Sequence, residues 1–232
     1  MNKLYLIGIG CRPLDEKAKE IIINSDIVLA PSNRLFEIFN GYCEFETVKD
    51  KINVINDVNE TIEFIKFKVQ NPKSEIQSIV LLTSGDSMFH GIGRRVIQEF
   101  GKDMVEILPD LSSVQIAFSK IKEPWDDALL ISLHGRREKK YKMDDLPILI
   151  QQHNKIAILT DKNNNPQVIA KFLHSSLFTL HSSLIMYVCE RIGYDDERII
   201  QGSLEDISVM DFLEPNVVII QRSEEKGNEY PE

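Results

Sequence analysis

Hydrophobic and polar positions form blocks along the chain that predict strands and helices in turn. The apolar run from Leu4 to Ile9 predicts a buried strand, and the segment from Leu14 to Asn24 has helical spacing. A clear amphipathic helix is predicted over Val58 to Gln70, and the apolar run from Ser78 to Leu82 predicts another buried strand. Alternation of this kind is typical of α/β folds.

The same patterns predict the remaining elements of both halves of the chain. In the first half they are strands over Asp26 to Ala30, Tyr42 to Val48 and Met104 to Leu108, and helices over Asn33 to Phe39 and Arg94 to Phe100. In the second half they are helices over Ser112 to Ile121, Asp144 to Gln152 and Gln167 to Leu173, and strands over Ala128 to Leu133, Lys155 to Thr160, Leu184 to Glu190, Arg198 to Ile200 and Asn216 to Gln221.

Short connections between the late strands favour a mixed second sheet, whereas the first sheet is predicted to be parallel. We therefore predict two α/β domains with a ligand crevice between them. The predicted boundaries are residues 1–110 for the N-terminal domain, 111–222 for the C-terminal domain and 223–232 for an acidic tail.

A polar, glycine-rich segment follows the predicted strand that begins at Ser78. In open α/β sheets, ligands bind beyond the carboxyl ends of the strands. Gly85, Gly91 and Gly93 permit close backbone approach, and Asp86 either accepts hydrogen bonds from a ligand or caps the next helix. The residues alone predict a polar ligand loop without identifying its ligand.

The pair Gly8-x-Gly10 after the first strand is a weaker signal. The third glycine of a dinucleotide fingerprint is missing because Pro13 occupies its place, and Asp26 comes too early to bind a ribose. The pair therefore favours a tight turn beside some other small ligand.

Two further positions carry open alternatives. Ser112 and Ser113 stand at a predicted helix start, where a serine hydroxyl serves either as a cap or as a ligand contact. His134 follows a buried strand and fits an acid, a base, a metal ligand or a plain loop residue. His90 and His134 have no third partner at a spacing typical of a metal site.

Charge narrows the range of partners. The 232 residues carry a net charge of −9, which disfavours nucleic acid as a main partner. Basic residues nevertheless concentrate between His134 and Lys142, including Arg136, as either a solvated face or a platform for a polyanionic small molecule. Arg94, beside the glycine-rich loop, is a candidate for the same task.

Cysteine spacing and hydropathy limit the kinds of site and the cellular compartment that we expect. The three cysteines, Cys11, Cys43 and Cys189, lack C-x-x-C spacing, which argues against a structural zinc site and a disulfide framework. No apolar run approaches the roughly 18 residues that span a bilayer. Because the first apolar run is too short for an export signal, we expect a cytoplasmic protein without membrane partners.

Several short motifs then point to one family. They are Gly8-x-Gly10, Ser84-Gly85-Asp86, Ser112-Ser113-Val114-Gln115, Pro124-Trp125-Asp126-Asp127 and Ser132-Leu133-His134-Gly135-Arg136, in this order. With this ordered set, from Leu4 to about Gln221, the sequence resembles the tetrapyrrole methylases, an S-adenosylmethionine-dependent family with two α/β domains. It is most similar to members that methylate carbon 5 of precorrin-7 or cobalt-precorrin-7 in cobalamin synthesis.

The resemblance implies a homodimer that binds S-adenosylmethionine in the crevice and a precorrin-type tetrapyrrole as substrate. The implied cofactor-binding residues are Gly85, Asp86, Phe89, Ser112, Ser113, Leu133, His134, Gly202 and Leu204. The implied substrate-binding residues are Gly8, Gly10, Arg12, Arg94 and Arg136, since the substrate carries many carboxylates. No catalytic base and no metal are expected, because methyl transfer from a sulfonium needs mainly alignment and desolvation.

The sequence departs from the family pattern at two loops. Ser87 replaces the usual proline after Gly-Asp, and Arg12 and Pro13 stand where the family has Gly-x-Gly-Pro-Gly. In some relatives a second domain methylates carbon 15 and removes a carboxyl group. The chain is too short to hold that domain, so we expect a separate carbon-15 enzyme. Two alternatives remain, namely a family member with a different acceptor and a non-catalytic carrier of tetrapyrrole or metal.

Overall fold

A computed structural model describes residues 3–10, 12–71, 75–134, 140–177 and 183–223. Within these ranges the chain forms ten strands and eight α-helices. It divides into two compact units between Ser112 and Ser113, and each unit has its own five-stranded sheet. In the same ranges no helix combines the length and the apolar character needed to cross a bilayer.

The first unit is built on a parallel sheet, as predicted. Its strands are β1 (Lys3–Ile9), β2 (Ile27–Ala30), β3 (Ile52–Val54), β4 (Ser78–Ser84) and β5 (Val105–Leu108), and its helices are α1 (Glu16–Asn24), α2 (Asn33–Asn40), α3 (Val58–Gln70) and α4 (Gly93–Phe100). The strand order is β3-β2-β4-β1-β5, and every neighbouring pair is parallel.

Both faces of this sheet are buried, which explains why its central strands are apolar throughout. In β1, Ile7 and Ile9 belong to the hydrophobic cluster that includes residues of α1 and α2, whereas Leu4 and Leu6 belong to the cluster that includes residues of α3. The strands β4 and β1 are neighbours in the interior of the sheet. Because they are parallel, their carboxyl ends lie at the same end of the strands, which we call the carboxyl edge.

The second unit has the mixed sheet that the sequence predicts. Its strands are β6 (Leu129–Ser132), β7 (Lys155–Leu159), β8 (Leu184–Glu190), β9 (Arg198–Gly202) and β10 (Asn216–Arg222), and its helices are α5 (Ser113–Ile121), α6 (Leu146–Gln152), α7 (Pro166–Ser176) and α8 (Leu204–Ser208). The order is β6-β7-β10-β8-β9; β6 and β7 are parallel, and the other pairs are antiparallel.

Side-chain caps fix several helix starts where the sequence signals them. Asp15 accepts a hydrogen bond from Ala18 N at 2.7 Å, and Asn165 accepts one from Val168 N at 2.9 Å. Pro166 is the first residue of α7, as predicted, because its missing N–H would lack a partner there anyway.

The structure corrects two of the predicted elements and adds two that were not predicted. The segment Cys43–Lys51 is a 3₁₀ helix and not the strand expected over Tyr42 to Val48, because Phe45 and Val48 are buried at a spacing of three. The helix expected from Asp144 begins at Leu146, after the 3₁₀ turn Met143–Asp145. The short elements β3 and α8 were not predicted.

Candidate functional site

Three loops meet at the carboxyl edge of the first sheet. They follow β1, β4 and β5, which are neighbours in the strand order. Gly85 N donates a hydrogen bond to Ile9 O at 3.1 Å, and Asp110 N donates one to Gly85 O at 3.2 Å. The backbone itself therefore joins the three loops, at the edge where ligands of α/β sheets bind.

Two glycines make this contact possible. A Cβ atom on Gly8 would lie 2.1 Å from Gly85 O and 2.4 Å from Asp110 N. Gly85 has φ +56°, and a Cβ atom there would lie 2.6 Å from Leu111 O. No side chain fits at either position without moving backbone atoms, so the glycines are required by close approach.

The segment from Gly85 to Gly93, which we call the Gly-Asp loop, folds tightly on itself. Asp86 Oδ1 accepts a hydrogen bond from Met88 N at 2.8 Å, and Gly93 N donates to Ser87 O at 2.9 Å. Ser87 is buried, and its hydroxyl has no hydrogen-bond partner in the described ranges, as is also true of Thr83 at the end of β4. These hydrogen bonds hold the loop although Ser87 lacks the fixed φ that a proline would supply.

The loop after β1 carries a charge pair that the sequence did not predict. Arg12 Nε donates to Asp110 Oδ1 at 2.6 Å, and Arg12 Nη2 contacts the same oxygen. The Asp110 side chain is only 8% exposed, whereas the Arg12 side chain is 53% exposed. The Tyr42 hydroxyl lies 3.2 Å from Gly10 O and 3.0 Å from Arg12 O. Gly8, Gly10, Arg12 and Gly85 therefore belong to one assembly of loops.

In the second unit, polar groups gather where β6 and β7 end. His134 Nδ1 lies 3.1 Å from Thr160 O, and Asn164 Nδ2 donates to Leu133 O at 3.1 Å. Thr160 Oγ1 donates to Asn216 Oδ1 at 2.6 Å. Leu133 and His134 were identified from the sequence but these three partners were not, although Thr160 ends a predicted strand and Asn164 lies in the loop that follows it.

The tautomer of His134 follows from its contact. Because a carbonyl oxygen only accepts hydrogen bonds, Nδ1 carries the proton, and in the neutral ring Nε2 is an acceptor. The imidazole is exposed, whereas the Leu133 side chain is buried in the core of the unit. His134 is thus the one of the pair whose side chain is accessible.

The structure does not bring Gly202 and Leu204 to this cluster. Their strand β9 is at the opposite edge of the sheet from β6. By register, Gly202 is level with Met186 and hence with the start of β6, whereas Leu133 follows its end. Leu204 is buried in the core as the first residue of α8.

The other expected residues occupy separate places. Ser112 is buried at the end of the first unit, and Ser113 is the exposed first residue of α5. Arg94 is exposed in the first turn of α4, directly after the Gly-Asp loop. Residues 135–139 of the basic segment, which include Arg136, lie outside the described residues.

Potential metal ligands and the buried thiol of Cys189 were considered as candidate reactive groups in the described ranges. No group of three histidine, cysteine or carboxylate side chains in them is placed to hold a metal ion. Cys189 is buried, and burial raises the pKa of its thiol to about 12, so it is a poor nucleophile.

Comparison with known proteins adds a family. The profile of the Tetrapyrrole (Corrin/Porphyrin) Methylases matches residues 3–208. The chain is 32% identical over 228 residues to the probable cobalt-precorrin-7 C(5)-methyltransferase of Methanocaldococcus jannaschii, covering 96% of this chain and 99% of that protein.

Two solved structures share the fold. The precorrin-6Y methylase of Archaeoglobus fulgidus has a TM-score of 0.67 at 19% identity, covering 96% of this chain and 99% of that one. The uroporphyrin-III C-methyltransferase of Thermus thermophilus, complexed with S-adenosyl homocysteine, also has a TM-score of 0.67, at 18% identity, covering 95% and 97%.

Proposed function

Because the chain belongs to the tetrapyrrole (corrin/porphyrin) methylases, we propose that it methylates carbon 5 of precorrin-7 or cobalt-precorrin-7 in cobalamin biosynthesis, with S-adenosylmethionine as the methyl donor. The observation that carries this proposal is the 32% identity to a protein named for that reaction, over 99% of its length. That relative is named for carbon 5 alone, which supports methyl transfer without loss of a carboxyl group. The carbon-15 step then falls to a separate enzyme.

In this proposal the Gly-Asp loop holds the donor. Asp86 uses Oδ1 on its own loop, and its Oδ2 has no hydrogen-bond partner in the part of the chain that the structure describes. A half-buried carboxylate oxygen of this kind suits the ammonium group or a ribose hydroxyl of S-adenosylmethionine. Phe89 lines the same loop, and Ser112 and Ser113 follow Asp110, whose backbone contacts Gly85.

The exposed ring of His134 serves the adenosine side, with Nε2 as a hydrogen-bond acceptor and the adjoining Leu133 as its buried support. Gly202, the last residue of β9, and Leu204, the first residue of α8, are proposed to close the adenine side, as the family resemblance implies. Gly8, Gly10, Arg12, Arg94 and Arg136 remain assigned to the substrate side.

The proposed methyl transfer depends little on ionisable side chains. S-adenosylmethionine supplies an electrophilic methyl group on a sulfonium, which an electron-rich ring carbon displaces in line, so that a C–C bond forms as the C–S bond breaks. The fixed contacts among Gly8, Gly85 and Asp110 supply a rigid carboxyl edge against which two reactants can be aligned. The proposed reaction therefore depends on alignment of the two reactants by the protein more than on a base or a metal.

Calorimetric titration with S-adenosylhomocysteine tests the donor site. We expect one site per chain, and we expect Asp86→Asn to weaken binding about tenfold or more because a charge-assisted hydrogen bond is lost. Asp103→Asn, on an exposed position of the same unit, is the matched control and leaves the affinity unchanged. Unchanged affinity in Asp86→Asn removes that residue from the site, and no binding to folded wild type overturns the proposal.

Analysis of the methylated product tests the acceptor. Incubation with precorrin-7 and with cobalt-precorrin-7, followed by NMR assignment of the labelled methyl group, should place it on carbon 5 with every carboxyl group retained. A label on another carbon assigns the chain to a different member of the family. Tetrapyrrole binding without affinity for S-adenosylhomocysteine would instead indicate a carrier.

The quaternary state and the compartment complete the proposal. We propose a homodimer that acts in the cytoplasm, as expected from the family resemblance and the sequence. Sedimentation equilibrium should give twice the 26.7 kDa mass of the chain. A monomer that methylates precorrin-7 at full rate would refute the dimer without affecting the proposed reaction.

A further inference from the structure

We propose that Asp110 is a positioning residue that fixes the Arg12 guanidinium to bind a carboxylate of the tetrapyrrole substrate. This inference rests on the proposed function only for the class of ligand, a ring that carries several carboxylates. It assigns Asp110 a role that neither its position in the sequence nor the family resemblance implies.

Asp110 lies at the centre of the loop assembly. Its backbone N–H bonds to Gly85 O, and its side chain is 8% exposed. A Cβ atom on Gly10 would lie 2.9 Å from Asp110 Oδ2, so the first loop covers that side of the carboxylate. A carboxylate that is buried without a partner raises the free energy of the folded protein. The Asp110 carboxylate therefore favours the position in which the Arg12 guanidinium contacts it.

The guanidinium is held by one edge only. Arg12 Nε and Nη2 both contact Asp110 Oδ1, to which Leu111 N also donates at 2.7 Å. Arginine has five N–H donors in a planar fork, so most of them remain after this contact. Nη1 has no hydrogen-bond partner in the described ranges, and about half of the side chain is exposed. The outer edge of the fork therefore matches a second, external carboxylate.

The backbone of Arg12 is fixed as well. The Tyr42 hydroxyl lies within hydrogen-bond distance of the carbonyl oxygens of Gly10 and Arg12. Tyr42 in turn packs against the buried rings of Phe39 and Phe45. With both its backbone and its side chain ordered in advance, Arg12 loses little conformational entropy when a ligand binds.

The pair connects substrate recognition with the Gly-Asp loop. One residue, Asp110, bonds to Gly85 through its backbone and to Arg12 through its side chain. A salt bridge that served only to pair the buried Asp110 carboxylate would not require a half-exposed guanidinium with donors left over. In this proposal the contact between Arg12 and Asp110 is a specificity element for a carboxylate of the substrate.

Binding of uroporphyrin, a polycarboxylate tetrapyrrole, tests the assignment without requiring turnover. Fluorescence titrations compare wild type with Arg12→Gln, Asp110→Asn and the double variant. We expect each single variant to weaken uroporphyrin binding about tenfold. We expect Asp110→Asn to have no further effect once Arg12 is replaced, because Asp110 acts through Arg12.

Two controls separate positioning from folding. Lys17→Gln breaks the exposed ion pair between Lys17 and Glu106 of β5 and should bind uroporphyrin like wild type. Arg12→Lys keeps the charge but not the planar fork, and it should restore only part of the affinity lost in Arg12→Gln. The affinity for S-adenosylhomocysteine should stay constant across the series.

The proposal is overturned if wild type does not bind uroporphyrin, or if the affinity is unchanged in Arg12→Gln or Asp110→Asn. It is also overturned if these variants lose S-adenosylhomocysteine binding and thermal stability together with porphyrin binding, since the pair would then be structural. If porphyrin binding depends on both Arg12 and Asp110, with no added effect in the double variant, but no precorrin is methylated, the proposed function fails and the role of Asp110 stands.

Discussion

At the scale of single residues, the contact between backbones at Gly85 is the feature most sensitive to change. Gly85 and Gly101 both have positive φ, +56° and +79°, but a Cβ atom meets Leu111 O at Gly85 and open space at Gly101. Both alanine variants should lose about 1–3 kcal/mol from backbone strain, because side chains rarely adopt either conformation. Gly85→Ala should lose more in urea unfolding, and should also lose S-adenosylhomocysteine binding. Equal losses in the two variants would show that the loop accommodates a side chain.

The residues of the site were predictable to different degrees. Gly8, Gly10 and Gly85 were identified because closely spaced glycines after a strand are a local signal of backbone approach. Asp110 and Tyr42 were missed because their roles depend on Arg12, which is 98 residues from Asp110 and 30 from Tyr42. The available signal for Asp110 was a polar residue two positions after a predicted strand, but its partner could not be inferred from spacing.

At the scale of elements, the alternation of strands and helices was predicted correctly because apolar runs and helical spacing reflect burial directly. The segment around Phe45 failed because its aromatic and β-branched residues are typical of strands. The two buried residues, Phe45 and Val48, are three positions apart, as in a 3₁₀ helix. The missed helix α8 did carry a signal. Ser203 and Asp206 form a capping box, with the apolar Leu204 and Ile207 buried beside it.

The link between β2 and β4 gives a pH-dependent prediction. Burial alone would raise the pKa of Asp26, but hydrogen bonds from Ser78 N and Gln77 N outweigh it and lower the pKa below its usual value. A lowered pKa means that the carboxylate stabilises the fold above its unfolded pKa, near 4, and that this contribution is lost as the pH falls through the folded pKa.

Asp26→Asn should therefore be less stable than wild type at pH 7, by about 1 kcal/mol after allowance for solvent exposure. The difference should hold down to about pH 5 and shrink below about pH 4. Urea unfolding at several pH values measures it, with Asp103→Asn as a control from the same unit. A difference that stays constant down to pH 3 would mean that the charge of Asp26 is not responsible.

At the scale of the whole molecule, the resemblance to the tetrapyrrole methylases is confirmed, since the family profile spans residues 3–208. No single motif was specific, and Gly8-x-Gly10 alone indicated only a tight turn beside some small ligand. The order of the motifs along both units supported the assignment, because the loops of a fold with two sheets follow one another in a fixed order along the chain. The sequence could not supply the paired contacts within those loops, which only the folded chain creates.

The two described cysteines offer a test that joins the fold to ligand binding. Cys189, in β8 of the second unit, is buried with a pKa of about 12, so it should react with a thiol reagent at pH 8 only after the unit unfolds. Cys43 is exposed and should react at once. S-adenosylhomocysteine at 100 times its Kd should slow the labelling of Cys189 about a hundredfold and leave Cys43 unchanged, as mass spectrometry of the labelled peptides would show. Slowing follows only if unfolding of the second unit releases the ligand, as binding at His134 requires. Labelling of Cys189 at an unchanged rate would therefore assign the ligand to the first unit alone.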